Sequence, residues 1–369
     1  MLDRTSRVVG LGALLLASCS DGGSAHSSVA GAAGTVSVGG AGGLSAGGAT
    51  SAGMAGSSGA GGASGSAGGA NGGSGGAACA AAVSRGASRL ALGYDFGCAI
   101  NSSAAIVCWG SPAAGTDVAQ TVAPSGAFVD ISGSQEASCA LTAGGAVSCW
   151  GSISGTPLGT YAHVAADSGL ACAVGECGQV TCWGANAASV ALSGSFTRVA
   201  VGDHFACGID TQGAIQCAGI NTNYGLLLPP SGQFVELAAG DEHVCAIRAD
   251  GTLACWGLGG PGQPTDGSDA KHGSWGQAIP PAGTFVSVSA GLTDTCAIDN
   301  AGQVTCWGAG KTLADCANLG QCGQSIPPNG TFTQVAIDYV NACGIHTDGT
   351  LECWGSNTGG KSTPPAGFH

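Results

Sequence analysis

The chain has 369 residues, of which 70 are glycine, 19 are cysteine and only 8% are charged, with a formal net charge of −13. Nine basic residues against 22 acidic ones exclude a polyanion binder, because nucleic acids are held by Lys and Arg that displace phosphate counterions. The glycine and cysteine content is equally far from that of an ordinary cytosolic enzyme and belongs with exported, disulfide-bearing chains.

At the N-terminus, Arg4 and Arg7 precede an apolar run from Val8 to Ala17. The run is too short to span a bilayer and fits the core of a signal peptide. It ends in Leu16-Ala17-Ser18-Cys19, which resembles a bacterial lipobox. That resemblance implies removal of residues 1–18 and lipidation of Cys19. Ser20, rather than Asp, resembles the enterobacterial signal for outer-membrane sorting. The expected location is therefore the outer membrane, reached through the N-terminal lipid alone, with the protein facing the periplasm or the outside. Residues 19–78 follow, almost wholly Gly, Ala and Ser without an aromatic side chain. Such a segment buries too little apolar surface to offset its ordering entropy and reads as a disordered, flexible tether. For roughly 60 residues its mean reach is on the order of 40 to 45 Å.

From residue 79 onward one frame is written seven times. Its clearest copy runs from Cys245 to Gly257, two cysteines flanking Asp250-Gly251 with Trp256-Gly257 behind the second. The other copies carry Cys98/Cys108, Cys139/Cys149, Cys172/Cys182, Cys207/Cys217, Cys296/Cys306 and Cys343/Cys353. Apolar Ile247 and Leu253 on either side of the Asp-Gly predict a β-hairpin. A three-residue loop centred on Asp250 pairs Arg248 with Thr252, Ile247 with Leu253 and Cys245 with Cys255. Facing residues lie roughly 4.5 to 5.5 Å apart, within disulfide reach. A buried thiol is the other reading of such cysteines, and export favours the disulfide. Of the remaining four, Cys316 and Cys322 lie in one insertion and are expected to pair. That leaves Cys79 with Cys177, although arithmetic alone does not fix connectivity.

Each hairpin is preceded by a short apolar strand, such as Glu236 to Ala239, and followed by a variable stretch closing on steps such as Gly232-Gln-Phe234 and Gly283-Thr-Phe285. The unit is strand, hairpin and extended return, recurring every 33 to 51 residues. Short strands at that period predict an all-β propeller or a solenoid. The chain finishes on Pro364-Pro365-Ala366-Gly367-Phe368-His369, a closing step with no strand after it, and the first repeat opens at Ser88 with no closing step before it. A seven-bladed ring over residues 79–369, closed by pairing of the N- and C-terminal segments in a shared blade, accommodates both ends. A solenoid would instead need polar caps.

The recurring pattern, which includes Cys245-Ala-Ile, a turn glycine, Leu253, Cys255, Trp256 and Gly257, resembles the repeat of the regulator of chromosome condensation propellers, in a cysteine-rich form of exported bacterial proteins. The first copy departs by carrying Ala105 in place of the turn glycine, and the fourth has Ala218 where the others have Trp. The resemblance implies a seven-bladed fold that holds partners on its faces. The exchange-factor activity of eukaryotic members is not carried over to an exported chain.

Two groups of residues are candidates for binding. Asp95, Glu136, Asp203, His204, Asp241, Glu242, His243 and Asp294 precede the first cysteine of their hairpins, in a turn expected at one channel rim. A ring of oxygens with histidines suits a cation, whereas the same residues also suit exposed turns, and no compact metal spacing occurs. The second group lies in the insertions Leu258 to Ala278 and Ala309 to Ser325, which carry Lys271, His272, Trp275 and Lys311. Loops on a rigid scaffold commonly bind, and Trp is enriched at hot spots. From Arg89 onward six basic residues face 20 acidic ones, a charge of −14 that disfavours nucleic acid. Motifs for a catalytic serine, a phosphate loop or a zinc hydrolase do not occur. The expectation is a monomeric, cofactor-free, non-enzymatic envelope protein that binds an unknown protein or glycan. The alternative is a metal-assisted lyase or hydrolase at the acidic rim.

Overall fold

The turn at Asp250-Gly251 shows how local chemistry sets the fold. Gly251 takes φ +84, a left-handed conformation open to glycine at little cost. Its N–H donates to the Arg248 carbonyl, and Arg248 N–H donates to Thr252 O at 2.8 Å. The Asp250 carboxylate accepts from the Thr252 N–H and hydroxyl. From that hydrogen-bonded pair the ladder alternates, so Cys245 and Cys255 fall on a non-hydrogen-bonded pair, where the strands are closest. Their Cα atoms are 4.1 Å apart and their sulfurs are bonded. The other six hairpins repeat the pairing. In the first hairpin the turn position belongs to Ala104, not Ala105. Ala104 takes φ 64 and its N–H closes the turn on Asn101 O.

This computed structural model describes residues 83, 88–110, 120–153, 155–167, 169–220, 223–266, 273–312 and 322–368. All of them belong to the unit Ser74–His369. The proposed signal peptide, Cys19, the tether, Cys79 and Cys316 lie outside the described residues. Cys177 and Cys322 are both disulfide-bonded.

The architecture is all-β, seven three-stranded antiparallel sheets that form the blades of a propeller. The blades span residues 90–110, 128–151, 161–184, 196–219, 234–257, 285–308 and 332–355. In the fifth, Phe234–Ala239 is the inner strand, His243–Arg248 the middle and Leu253–Gly257 the outer. The return segment was expected to be extended, but it adds no fourth strand among the described residues. It contributes backbone acceptors instead. Trp150, Trp256, Trp307 and Trp354 donate their indole N–H to the carbonyls of Gln120, Leu226, Gln277 and Gln324, each 30 residues upstream, at 2.7 to 2.9 Å.

The core lies between blades. Cys245 and Ile247 of the fifth blade pack on Phe285, Val288, Ala297 and Trp307 of the sixth, and similar clusters fill the other gaps. Leu90, Leu92, Ala99 and Trp109 of the first blade pack on Ala336, Cys343 and Ile345 of the seventh and on Phe368. Each of the other inner strands starts by donating a backbone N–H to the turn of the preceding hairpin, as Phe285 does to Gly251 O at 2.8 Å.

Candidate functional site

Inner strands line a central channel of about 410 Å³. Its chemistry depends on a bulge that recurs in six blades. In the fifth blade the register shifts between Phe234 and Glu236. Val235 is left out of the pairing, so Phe234 and Leu237 share one interblade cluster although they are three residues apart. Glu236 is thereby turned into the channel. The same column holds Asp130, His163, Arg198, Ser287 and Gln334, all of which line the channel, and Arg89 in the first blade.

Most of this ring is internally satisfied. Arg89 donates Nε and Nη2 to Ile100 O, and its backbone N–H goes to Gln334 Oε1 at 2.7 Å. Asp130 is fully buried and accepts from Ser88 N–H and from His163 Nδ1 at 3.0 Å, while His163 Nε2 lies 3.0 Å from Val199 O. These bonds bridge neighbouring inner strands, which diverge from each other and share no backbone ladder. Glu236 accepts from Ser287 Oγ at 3.4 Å and from the Val288 N–H. Burial raises its carboxyl above the ordinary range, and Arg198 partly offsets that.

At the opposite mouth, side chains from distant blades meet. Gln135 adopts φ 47 and donates Nε2 to Asp241 Oδ2 at 3.0 Å, reaching from the second blade to the fifth. Its carbonyl accepts from Tyr94 N–H, and Tyr94 packs edge-on against Tyr339 with centroids 5.2 Å apart. Burial and the charges of Asp167, Asp338, Asp203 and Glu242 push Asp241 well above the carboxylate range. Asp338 is pushed to about 7 by burial and by Asp167, while backbone N–H groups of Tyr339 and Gln135 pull the other way.

The eight rim residues predicted from sequence do not form one ring. They occupy three successive positions of the turn, and consecutive side chains cannot share a direction. Asp241 reaches the mouth. Asp203 and His204 form a half-exposed pair at 3.4 Å. Asp95 lies 3.5 Å from Lys361 Nζ, and Glu136 is half-buried. Glu242 is buried, and His243 and Asp294 are fully buried within the blades. His243 and Asp294 sit beneath Gly240 and Gly291, where Phe96 and Phe205 sit beneath Gly93 and Gly202. Thr295 Oγ1 donates to Gln277 O and so accepts from His243 Nε2, which makes His243 a neutral donor. Burial holds its pKa at about 3. Burial likewise raises the Asp294 carboxyl well above its usual range. Among the described residues, no group of three His, Cys, Asp or Glu is placed to hold a metal ion.

Sequence reasoning missed Asp167 and Asp338. A visible signal existed, because both stand in a column that is Gly93, Gly202, Gly240 and Gly291 in four other copies. In the insertions, Trp275 is half-buried, its backbone N–H donating to Gln277 Oε1 at 2.8 Å, and Lys311 is exposed. Lys271 and His272 lie outside the described residues. No described helix is long and apolar enough to cross a membrane. The seven hairpin disulfides suit an oxidising, exported environment.

Comparison with known proteins agrees with the architecture. Residues 234–263 match the Regulator of chromosome condensation (RCC1) repeat, and six further copies carry the same cysteine frame. No curated protein matches the chain. The ectodomain of the Physcomitrella patens receptor kinase CR4 is 23% identical over 73% of this chain and 74% of that one, with a TM-score of 0.58. The CRINKLY WD40 ectodomain of the Arabidopsis thaliana receptor kinase ACR4 is also 23% identical, over 75% and 98%, with a TM-score of 0.58. Human WBSCR16 is 14% identical over 70% and 86%, at 0.50. These likenesses concern the propeller fold.

Proposed function

We propose that this protein is exported, anchored to the outer membrane by lipid on Cys19, and presents its propeller as a binding module for a protein or glycan. Residues 19–78 act as the tether and residues 79–369 as the domain. The ring is closed by the C-terminal segment against the first blade, a reading supported by Phe368 beside Leu90 and Leu92 and by the bond from Trp109 to Lys361. Binding belongs to the insertions around Trp275 and Lys311, together with Lys271 and His272. The observation that carries this reading is the state of Trp275, the one tryptophan outside the repeat frame. Its backbone is fixed by Gln277, while its indole N–H makes no hydrogen bond among the described residues.

The test is affinity capture from native envelope extracts with the unit Ser74–His369, which retains Cys79 as well as Cys177. Trp275→Ala is expected to lose the captured partner, and chelation of divalent metals is expected to change nothing. A channel-rim hydrolase or lyase would give the opposite pattern, with turnover abolished by Asp241→Asn and by chelation.

A further inference from the structure

Within the bulge ring, Arg89 is turned away onto Ile100 O and Asp130 is matched to His163. Two opposite charges on neighbouring inner strands then remain facing the channel, Arg198 of the fourth blade and Glu236 of the fifth. They influence each other electrostatically, yet they do not meet in an ion pair among the described residues. The Arg198 guanidinium makes no hydrogen bond among those residues, and Arg198 lines the cavity. Glu236 uses part of its acceptor capacity on Ser287 and Val288, and a carboxylate has about four lone-pair sites. Small side chains, Ala200, Ala238 and Ser289, line the channel beyond the pair and leave the cavity open. Its 410 Å³ falls within the roughly 300 to 1,000 Å³ of small-molecule sites. The Gln135 to Asp241 bond crosses one mouth, and Arg198 and Glu236 line the channel towards the other end.

We propose that this end of the channel binds a zwitterionic small molecule of the α-amino acid class, its carboxylate on Arg198 and its ammonium on Glu236. A guanidinium offers planar, paired donors to a carboxylate, and an ammonium adds to the half-buried Glu236 a counter-charge closer than that of Arg198, with which it forms no ion pair. Ser287 and Gln334 complete the polar wall on the Glu236 side. This site is independent of the insertions and of any macromolecular partner bound there.

The test is thermal-shift and calorimetric titration of the mature full chain with each common α-amino acid, alongside the N-acetyl and carboxamide derivatives. At least one free amino acid is expected to bind, and its two singly charged derivatives are not. Arg198→Gln and Glu236→Gln are each expected to weaken binding at least about tenfold, as loss of one charged hydrogen-bonding partner implies. Absence of binding by every free amino acid overturns the proposal. So does equal binding of the blocked derivatives, or undiminished binding by both variants. If a variant does not fold, the comparison of free and blocked ligands on the unaltered chain decides alone.

Discussion

The Trp109 indole donates its N–H to the Lys361 carbonyl at 2.8 Å, across 252 residues of chain. Four other blades make the same bond to a carbonyl 30 residues upstream, so Lys361 stands where a preceding linker would stand. Lys361 also donates Nζ to Tyr94 O at 2.6 Å. Trp109→Phe leaves a buried carbonyl without its donor and is expected to cost about 1 to 3 kcal/mol in denaturant unfolding. Trp183→Phe supplies the internal control. Its indole N–H has no acceptor among the described residues, so that variant is expected to cost less. Equal losses would mean that the Lys361 bond contributes nothing.

Ala104 holds a left-handed turn at φ 64 without the glycine that the other hairpins use. That conformation costs an L-residue about 1 to 2 kcal/mol, partly offset by the greater unfolded-state freedom of glycine. Ala104→Gly is expected to stabilise the protein by up to about 1 kcal/mol in urea titrations, and Ala105→Gly is expected to give no gain. The reverse result would place the turn one residue later.

Asp338 sets a pH dependence with a definite sign. Its folded-state value is about 7 against an ordinary 3.8, so the native state keeps a proton that the unfolded chain gives up between those values. Stability from this group is fully present below pH 3.8 and is lost as pH rises towards 7. His243 acts oppositely, losing stability as pH falls below 6.5. The difference between wild type and Asp338→Asn isolates the first effect. The variant is expected to gain on wild type as pH rises from 4 to 8 in thermal melts, and parallel curves would refute it.

Much of the scaffold was legible because its signals are local. Nine residues between two cysteines, with Gly251 at the turn, determine which residues face each other. The number of copies gives the number of blades. The channel ring was not legible, since a period-two reading puts Glu236 on the same side as Phe234. The bulge at Val235 reverses that, and no residue type announces a bulge here. The three turn positions within the acidic rim were hidden for a related reason. Asp241, Glu242 and His243 were grouped by distance from Cys245, whereas their directions depend on where the inner strand stops. Asp241 lies at the mouth, where the charges of Asp167, Asp338 and Asp203 from other blades act on it.

The hairpin cysteines staple the scaffold strand to strand, each disulfide worth at most about 3 kcal/mol by loop closure. The measurement that tests this most directly is peptide mapping, without reduction, of the native protein isolated with its free thiols blocked. It is predicted to recover Cys98–Cys108, Cys139–Cys149, Cys172–Cys182, Cys207–Cys217, Cys245–Cys255, Cys296–Cys306 and Cys343–Cys353 as linked pairs. Free thiols at these positions, or links between different hairpins, would contradict it.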